Sequence, residues 1–294
     1  MQQARPHHIL PVLGLLLSAT LWGLVWYPLR MLEAQGLHGL WLTLASYTAA
    51  LVLGLAWLWR GRQDWRAQPV VLLVMMLAVG WCNVAFVLAV LDGTVVRVLL
   101  LFYLSPLWAL ALGWVFLQEH PGSSGLLVFL LAITGAVTML WDTEMGMPWP
   151  RDQADWLAVS SGLAFAFSNV MVRKMHSVSV QTKSSVSWLG VVVVAGCWIV
   201  LAGAAVPRVA LSTWVGAAML GWFGFFVMSL AVIYGVSRMP VHRSAVILLF
   251  ELVVGAVSSL LLTDEQVLLQ EWLGGALILV AAYLAAHAHV REHA

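Results

Sequence analysis

The sequence predicts an all-α membrane protein of ten transmembrane helices, built as two inverted five-helix repeats. Three observations predict it. The first is composition: 62% of the 294 residues are hydrophobic, 9% are charged and the mean hydropathy is +0.94. A soluble domain carries about 25% charged residues to cover its surface. The second is punctuation by charge, Pro and Gly, which cuts the whole length into ten apolar stretches. Each is near the roughly 20 residues that cross a bilayer as a helix, and no room remains for a soluble domain. The third is recurrence. Sliding the stretch Arg97 to His120 forward by about 146 positions lays Arg243 on Arg97, Glu251 on Ser105, Gly255 on Ala109 and Glu265 on Glu119. A shift of about 143 lays Ser161 on Ser18, Phe165 on Trp22, Asn169 on Trp26 and Arg173 on Arg30. Five spans per unit is an odd number, so two copies of one fold must enter the membrane upside down to each other.

In order, the first span runs from about Ile9 to Pro28, too long for a cleaved leader and therefore retained. The second covers Gly39 to Trp59 and ends in the basic residues Arg60, Arg62 and Arg66. The third, Val70 to Leu91, follows Pro69 and stops at Asp92-Gly93; the fourth is the repeated stretch; the fifth runs from Ser123 to Leu140. The longest loop, Trp141 to Asp155, separates a first unit, residues 1–145, from a second, residues 146–294. Spans six to ten cover Trp156 to Val172, Ser185 to Val206, Thr213 to Val236, Arg243 to Thr263 and Leu268 to Ala288. With both termini cytoplasmic, ten Lys and Arg fall on the inner side and four on the outer, as the positive-inside rule requires for a plasma (bacterial inner) membrane protein.

Net charge is +1, which argues against a nucleic-acid partner. Cys82 and Cys197 lie inside apolar runs, so neither a disulfide framework nor a metal cluster follows from them. No Gly-rich phosphate loop ending in Lys-Ser/Thr occurs, which removes direct ATP drive. No cofactor is expected.

The chain resembles the drug/metabolite transporter superfamily, specifically proteins with two EamA-type repeats of five helices. The resemblance rests on Trp22-Gly23, Ser105-Pro106, Gln118-Glu119, Leu249-Phe250-Glu251 and Asp264-Glu265. It departs where many relatives have Glu-Pro in the ninth span and Gly-Glu after it: here Leu252 replaces the proline and Asp264 the glycine. The resemblance implies a transporter of small organic molecules with a central cavity, lined by spans one, three, four, six, eight and nine.

Glu251 is the most informative residue, because a carboxylate eight residues into an apolar helix costs at least a few kcal/mol unless it faces the bundle interior or water. Three roles compete: a neutral carboxyl that exchanges a proton, an anion that holds a cationic group, or a structural acid bonded to a neighbouring helix. Ser244, Gly255 and Ser258 give the ninth span a small, slightly polar side, suited to a cavity wall or to tight packing. Tyr103, Ser105 and Pro106 fall at the matching depth in the fourth span, where Pro106 frees the carbonyl near Phe102. Trp22, Trp26, Asn83, Asn169 and Ser229 complete the expected substrate-binding group with Tyr103, Ser105 and Glu251. Such aromatic and amide walls suit amino acids or amphipathic, cationic compounds. Glu119 and Glu265 end matched spans and are expected to gate by pairing with Lys or Arg; interfacial solvation is the other reading.

The leading expectation is a secondary transporter, exporting a small metabolite by alternating access, with protons as candidate coupling ion. It is either monomer or homodimer. A membrane receptor or scaffold would bind without exchange across a liposome. An intramembrane lipid-modifying enzyme would need clustered acids or His at one depth, and Glu251 stands alone in its span.

Overall fold

The computed structural model describes residues 6–92, 98, 101–120, 122–141, 150–262 and 269–292. Among these residues every regular element is helical. The helices are α1 (Pro6–Leu24), α2 (Trp26–Ala34), α3 (Gly39–Arg60), α4 (Arg62–Ala67), α5 (Pro69–Asp92), α6 (Ser105–Leu117) and α7 (Ser123–Leu140) in the first half. The second half holds α8 (Gln153–Lys174), α9 (Val180–Ala202), α10 (Leu211–Met219), α11 (Phe226–Val236), α12 (Val241–Leu248), α13 (Phe250–Leu262) and α14 (Leu269–Glu292).

Among the described residues, six helical stretches are long and apolar enough to cross a bilayer: 9–34, 39–60, 69–89, 153–174, 180–202 and 211–236. Shorter apolar helices cover Ser105–Leu117, Ser123–Thr138 and Trp272–Ala285. Their outer faces carry large apolar side chains in full view, such as Val200 at 78% and Leu201 at 81% exposure. A water-soluble protein would bury these, whereas a lipid-facing surface requires them.

The helices pair as two related halves. α1 packs on α11 as α8 packs on α5; α3 packs on α10 as α9 packs on α5; α1 packs on α13 as α8 packs on α6. α3 with α9, and α7 with α14, pair each element with its own counterpart. Exchanging the halves therefore maps the packing onto itself.

Glycines at these crossings let backbones meet. A Cβ added to Gly23 of α1 would lie 2.7 Å from Val254 Cβ and 2.8 Å from the Glu251 carbonyl oxygen of α13. At the counterpart crossing, a Cβ on Gly162 of α8 would lie 2.6 Å from the Phe102 carbonyl oxygen. Small residues at a membrane-helix interface have this use, since van der Waals contact replaces the hydrophobic drive.

Four departures from regular helix shape the site. The first span turns at Val25, whose N–H reaches the Trp22 carbonyl at 3.3 Å, and restarts as α2. The chain restarts at Ser105 as α6, with Pro106 in its first turn, and a break at Leu249 separates α12 from α13. Between α10 and α11, Leu220–Phe225 form a π-helical segment. It is fixed to α3 by the Trp222 indole N–H on the Ala49 carbonyl at 3.0 Å and by Gly221 against the Ser46 carbonyl.

Candidate functional site

The interrupted helices surround a cavity of about 140 Å³ at the junction of the two halves. Seven of the eight expected substrate-binding residues line it: Trp22, Asn83, Tyr103, Ser105, Asn169, Ser229 and Glu251. Glu251 is the one charged side chain among the lining residues. It sits in the first turn of α13, and the Tyr103 hydroxyl hydrogen-bonds its carboxyl from the turn that precedes α6. Carboxyl and phenol thus come from corresponding stretches of the two halves, two positions apart in repeat register.

Trp26 is not on this wall. The turn at Val25 carries it away from the face of Trp22. Its indole N–H donates to Ser258 Oγ at 2.9 Å, the Ser258 hydroxyl is shared between the Gly255 carbonyl at 2.9 Å and the Gly23 carbonyl at 3.2 Å, and the Arg30 guanidinium lies 5.0 Å over the Trp26 ring. Trp26 therefore ties the start of α2 to α13. The small side of the ninth span serves the same purpose, with Gly255 and Ser258 on α1.

Asn83 is held by two bonds. Its Oδ1 accepts from the Tyr47 hydroxyl at 2.9 Å and its Nδ2 donates to the Val79 carbonyl at 2.9 Å. Tyr47 stacks on Phe225, ring centroids 4.6 Å apart, and Trp22 meets the same ring edge-on at 5.7 Å. Asn169, Ser105 and Ser229 have no side-chain hydrogen bond to any described residue, and their polar groups are left for whatever enters the cavity. Tyr47, Cys82 and Ser187 also line the cavity, and the sequence reading missed them. Their spans or spacing gave no reason to single them out, although a phenol in the apolar run of α3 is a polar signal of the same kind as Glu251.

Glu119 lies at one end of the bundle. The left-handed Gln118 (φ 55°) ends α6 and brings the Glu119 N–H back to the Gly113 carbonyl at 3.2 Å. Glu119 Oε1 accepts from Arg173 Nε at 3.1 Å, and Oε2 accepts from the Val241 backbone N–H at 2.8 Å. Arg173 also donates to the Ser237 carbonyl at 3.1 Å. One carboxylate thereby ties the ends of α6 and α8 to the start of α12. Glu265, Asp264 and Arg97 lie outside the described residues.

The chain matches the sequence profile of the EamA-like transporter family twice, over residues 9–141 and 153–286. It belongs to that family and is a multi-pass integral membrane protein of transporter type; members of the family are transporters rather than enzymes. No curated protein matches it significantly. Among solved structures it is similar to a chain titled only "Crystal structure of protein", with a TM-score of 0.73 and 17% identity over 94% of this chain and 96% of that one. This likeness extends to the fold.

Proposed function

We propose that the chain is a secondary transporter that exports a small metabolite with a cationic group, an amino acid or an amine with an apolar body. It works by alternating access across a bacterial inner membrane, with both termini cytoplasmic. Ten spans form two inverted units, residues 1–145 and 146–294, and rock about the cavity between them. The observation that carries the reading is the pairing of Glu251 with Tyr103 across the two halves, in an otherwise uncharged and largely aromatic wall. A carboxyl there is a counter-ion for an ammonium group and a carrier for a coupling proton; the phenol orients it in both roles. Trp22 and Phe165 supply ring faces for the apolar body and the cation. Asn83, Asn169, Ser105 and Ser229 supply hydrogen bonds. The cavity of about 140 Å³ favours small solutes over drug-sized ones, whose pockets run from roughly 300 to 1,000 Å³.

Glu119 acts as a latch at the cytoplasmic end, and opening there requires its bonds to Arg173 and Val241 to part. Glu265 is its counterpart at the other end by repeat position.

The test is a thermal-stability screen of the purified protein against amino acids, amines and aromatic metabolites, since a ligand that binds the folded form raises its melting temperature. Hits are then followed as labelled solute in proteoliposomes. A cationic hit that exchanges across the membrane supports the reading. A hit that binds without exchange points to a receptor, and overturns it.

A further inference from the structure

A second crevice, of about 920 Å³, opens beside the Glu119 latch, between α4, the start of α9 and the end of α11. Its wall includes Lys183, which is 1% exposed and is held by its Nζ donating to the Val172 carbonyl at 2.9 Å and to Ser237 Oγ at 3.0 Å. Both acceptors are neutral. No carboxylate of the described residues comes within ion-pair distance of Lys183, nor of Arg238 at the rim. Arg238 instead lies 3.8 Å over the Tyr234 ring and bonds weakly to the Tyr234 carbonyl at 3.4 Å.

The charges around Lys183 make matters worse for it. Arg238 and Arg173 are both in electrostatic reach, and Asp64 is the one opposing acid. Asp64 accepts from the Thr182 hydroxyl at 2.8 Å, and Glu119 is taken by Arg173 and Val241. Counting Lys183, Arg173 and Arg238 against Asp64 and Glu119 leaves one positive charge in excess, before His176 on the same wall. Buried charges in proteins are paired, because desolvation without a partner is costly. A buried ammonium ion whose protein contacts are a carbonyl and a hydroxyl, on the wall of a large crevice with a loosely held guanidinium at its rim, fits an anion supplied from outside.

We infer that this crevice binds a phosphate-bearing anion, with Lys183 as its buried contact and Arg238 closing over it. A phospholipid headgroup and a soluble phosphate share that chemistry. The site is separate from the central cavity and does not depend on what that cavity carries.

The experiment uses the full chain in detergent micelles, wild type and the variants Lys183→Met and Arg238→Gln. Thermal unfolding is followed with inorganic phosphate against chloride at equal ionic strength, and with micelles doped with phosphatidylglycerol against phosphatidylcholine. The wild type gains melting temperature saturably with one or both phosphate probes, and each variant weakens that response by roughly tenfold or more, as expected for one charge-assisted contact. A response to inorganic phosphate alone assigns a soluble ligand, and a response to phosphatidylglycerol alone assigns a headgroup; both support the site. Equal responses in wild type and variants overturn it, as does a wild type that responds to neither probe. If Lys183→Met fails to fold, Arg238→Gln decides alone, since its side chain sits at the exposed rim.

Discussion

The fourth and ninth of the proposed spans occupy equivalent places in the two repeats, and both break there. In the fourth, Leu104 N–H bonds to the Leu101 carbonyl and Leu107 N–H to the Leu104 carbonyl; in the ninth, Leu249 N–H bonds to Val246 and Leu252 N–H to Leu249. Both are three-residue turns inserted between helices. In the fourth, Pro106 favours a break, having no N–H for the Phe102 carbonyl. The ninth span has Leu252 at the corresponding position, yet it breaks as well. What the two share is the neighbour that crosses them through a glycine, Gly162 on Phe102 and Gly23 on Glu251. The interruption thus belongs to the packing, and proline in one copy only reinforces it. The chemistry is divided unequally: the fourth span brings Tyr103 and Ser105, the ninth brings Glu251. A symmetric frame holds an asymmetric site.

The sharpest way to break this comparison is Glu251→Gln set against Ser105→Ala at the matched position. The first should abolish proton-gradient-driven flux in proteoliposomes, while the second leaves it within a few-fold of wild type. Equal losses would mean that the two spans share the chemistry. Next in size, Gly23→Ala and Gly162→Ala each push a methyl group into a backbone carbonyl and should each cost roughly 1–3 kcal/mol in thermal unfolding. Gly23→Ala should also depress flux, because it shifts the turn that carries Glu251. Tyr103→Phe should lower flux several-fold. A double-mutant cycle on substrate binding with Glu251→Gln should show coupling of about 0.5–3 kcal/mol, and additive effects would separate the phenol from the carboxyl. Smallest of all, Pro106→Ala should leave the melting temperature within a few degrees and flux near wild type. A large loss would show that the proline, and not the crossing helix, makes the break.

Much of this was legible in the sequence because the bilayer forces it. Apolar length and internal recurrence are read from composition and charge, and the family profile matches the chain twice, over residues 9–141 and 153–286. Glu251 was legible because an acid is costly inside an apolar run. Trp26 was misplaced because a regular helix puts it on the face of Trp22, and nothing local announces the turn at Val25, which packing against α13 fixes. Tyr47 and Ser187 escaped notice because α3 and α9 each reach the cavity with one polar side chain, set by helix crossings that no spacing reveals. The partner of Glu119 was expected among loop bases, but choosing Arg173 needed the fold.

The π-helical segment of the eighth span has a consequence of its own. Holding about one residue more than an α-helical turn would, it rotates everything after it by roughly 100°. Upstream, α10 turns Ala217 toward the cluster of Leu32 and Leu37; downstream, α11 turns Ser229 and Ile233 toward the cavity. One rod thus faces two directions: straightening the segment into α-helix with all its residues kept would turn Ser229 away from the cavity, whereas deleting a single residue between Leu220 and Phe225 would remove the bulge and leave Ser229 in place.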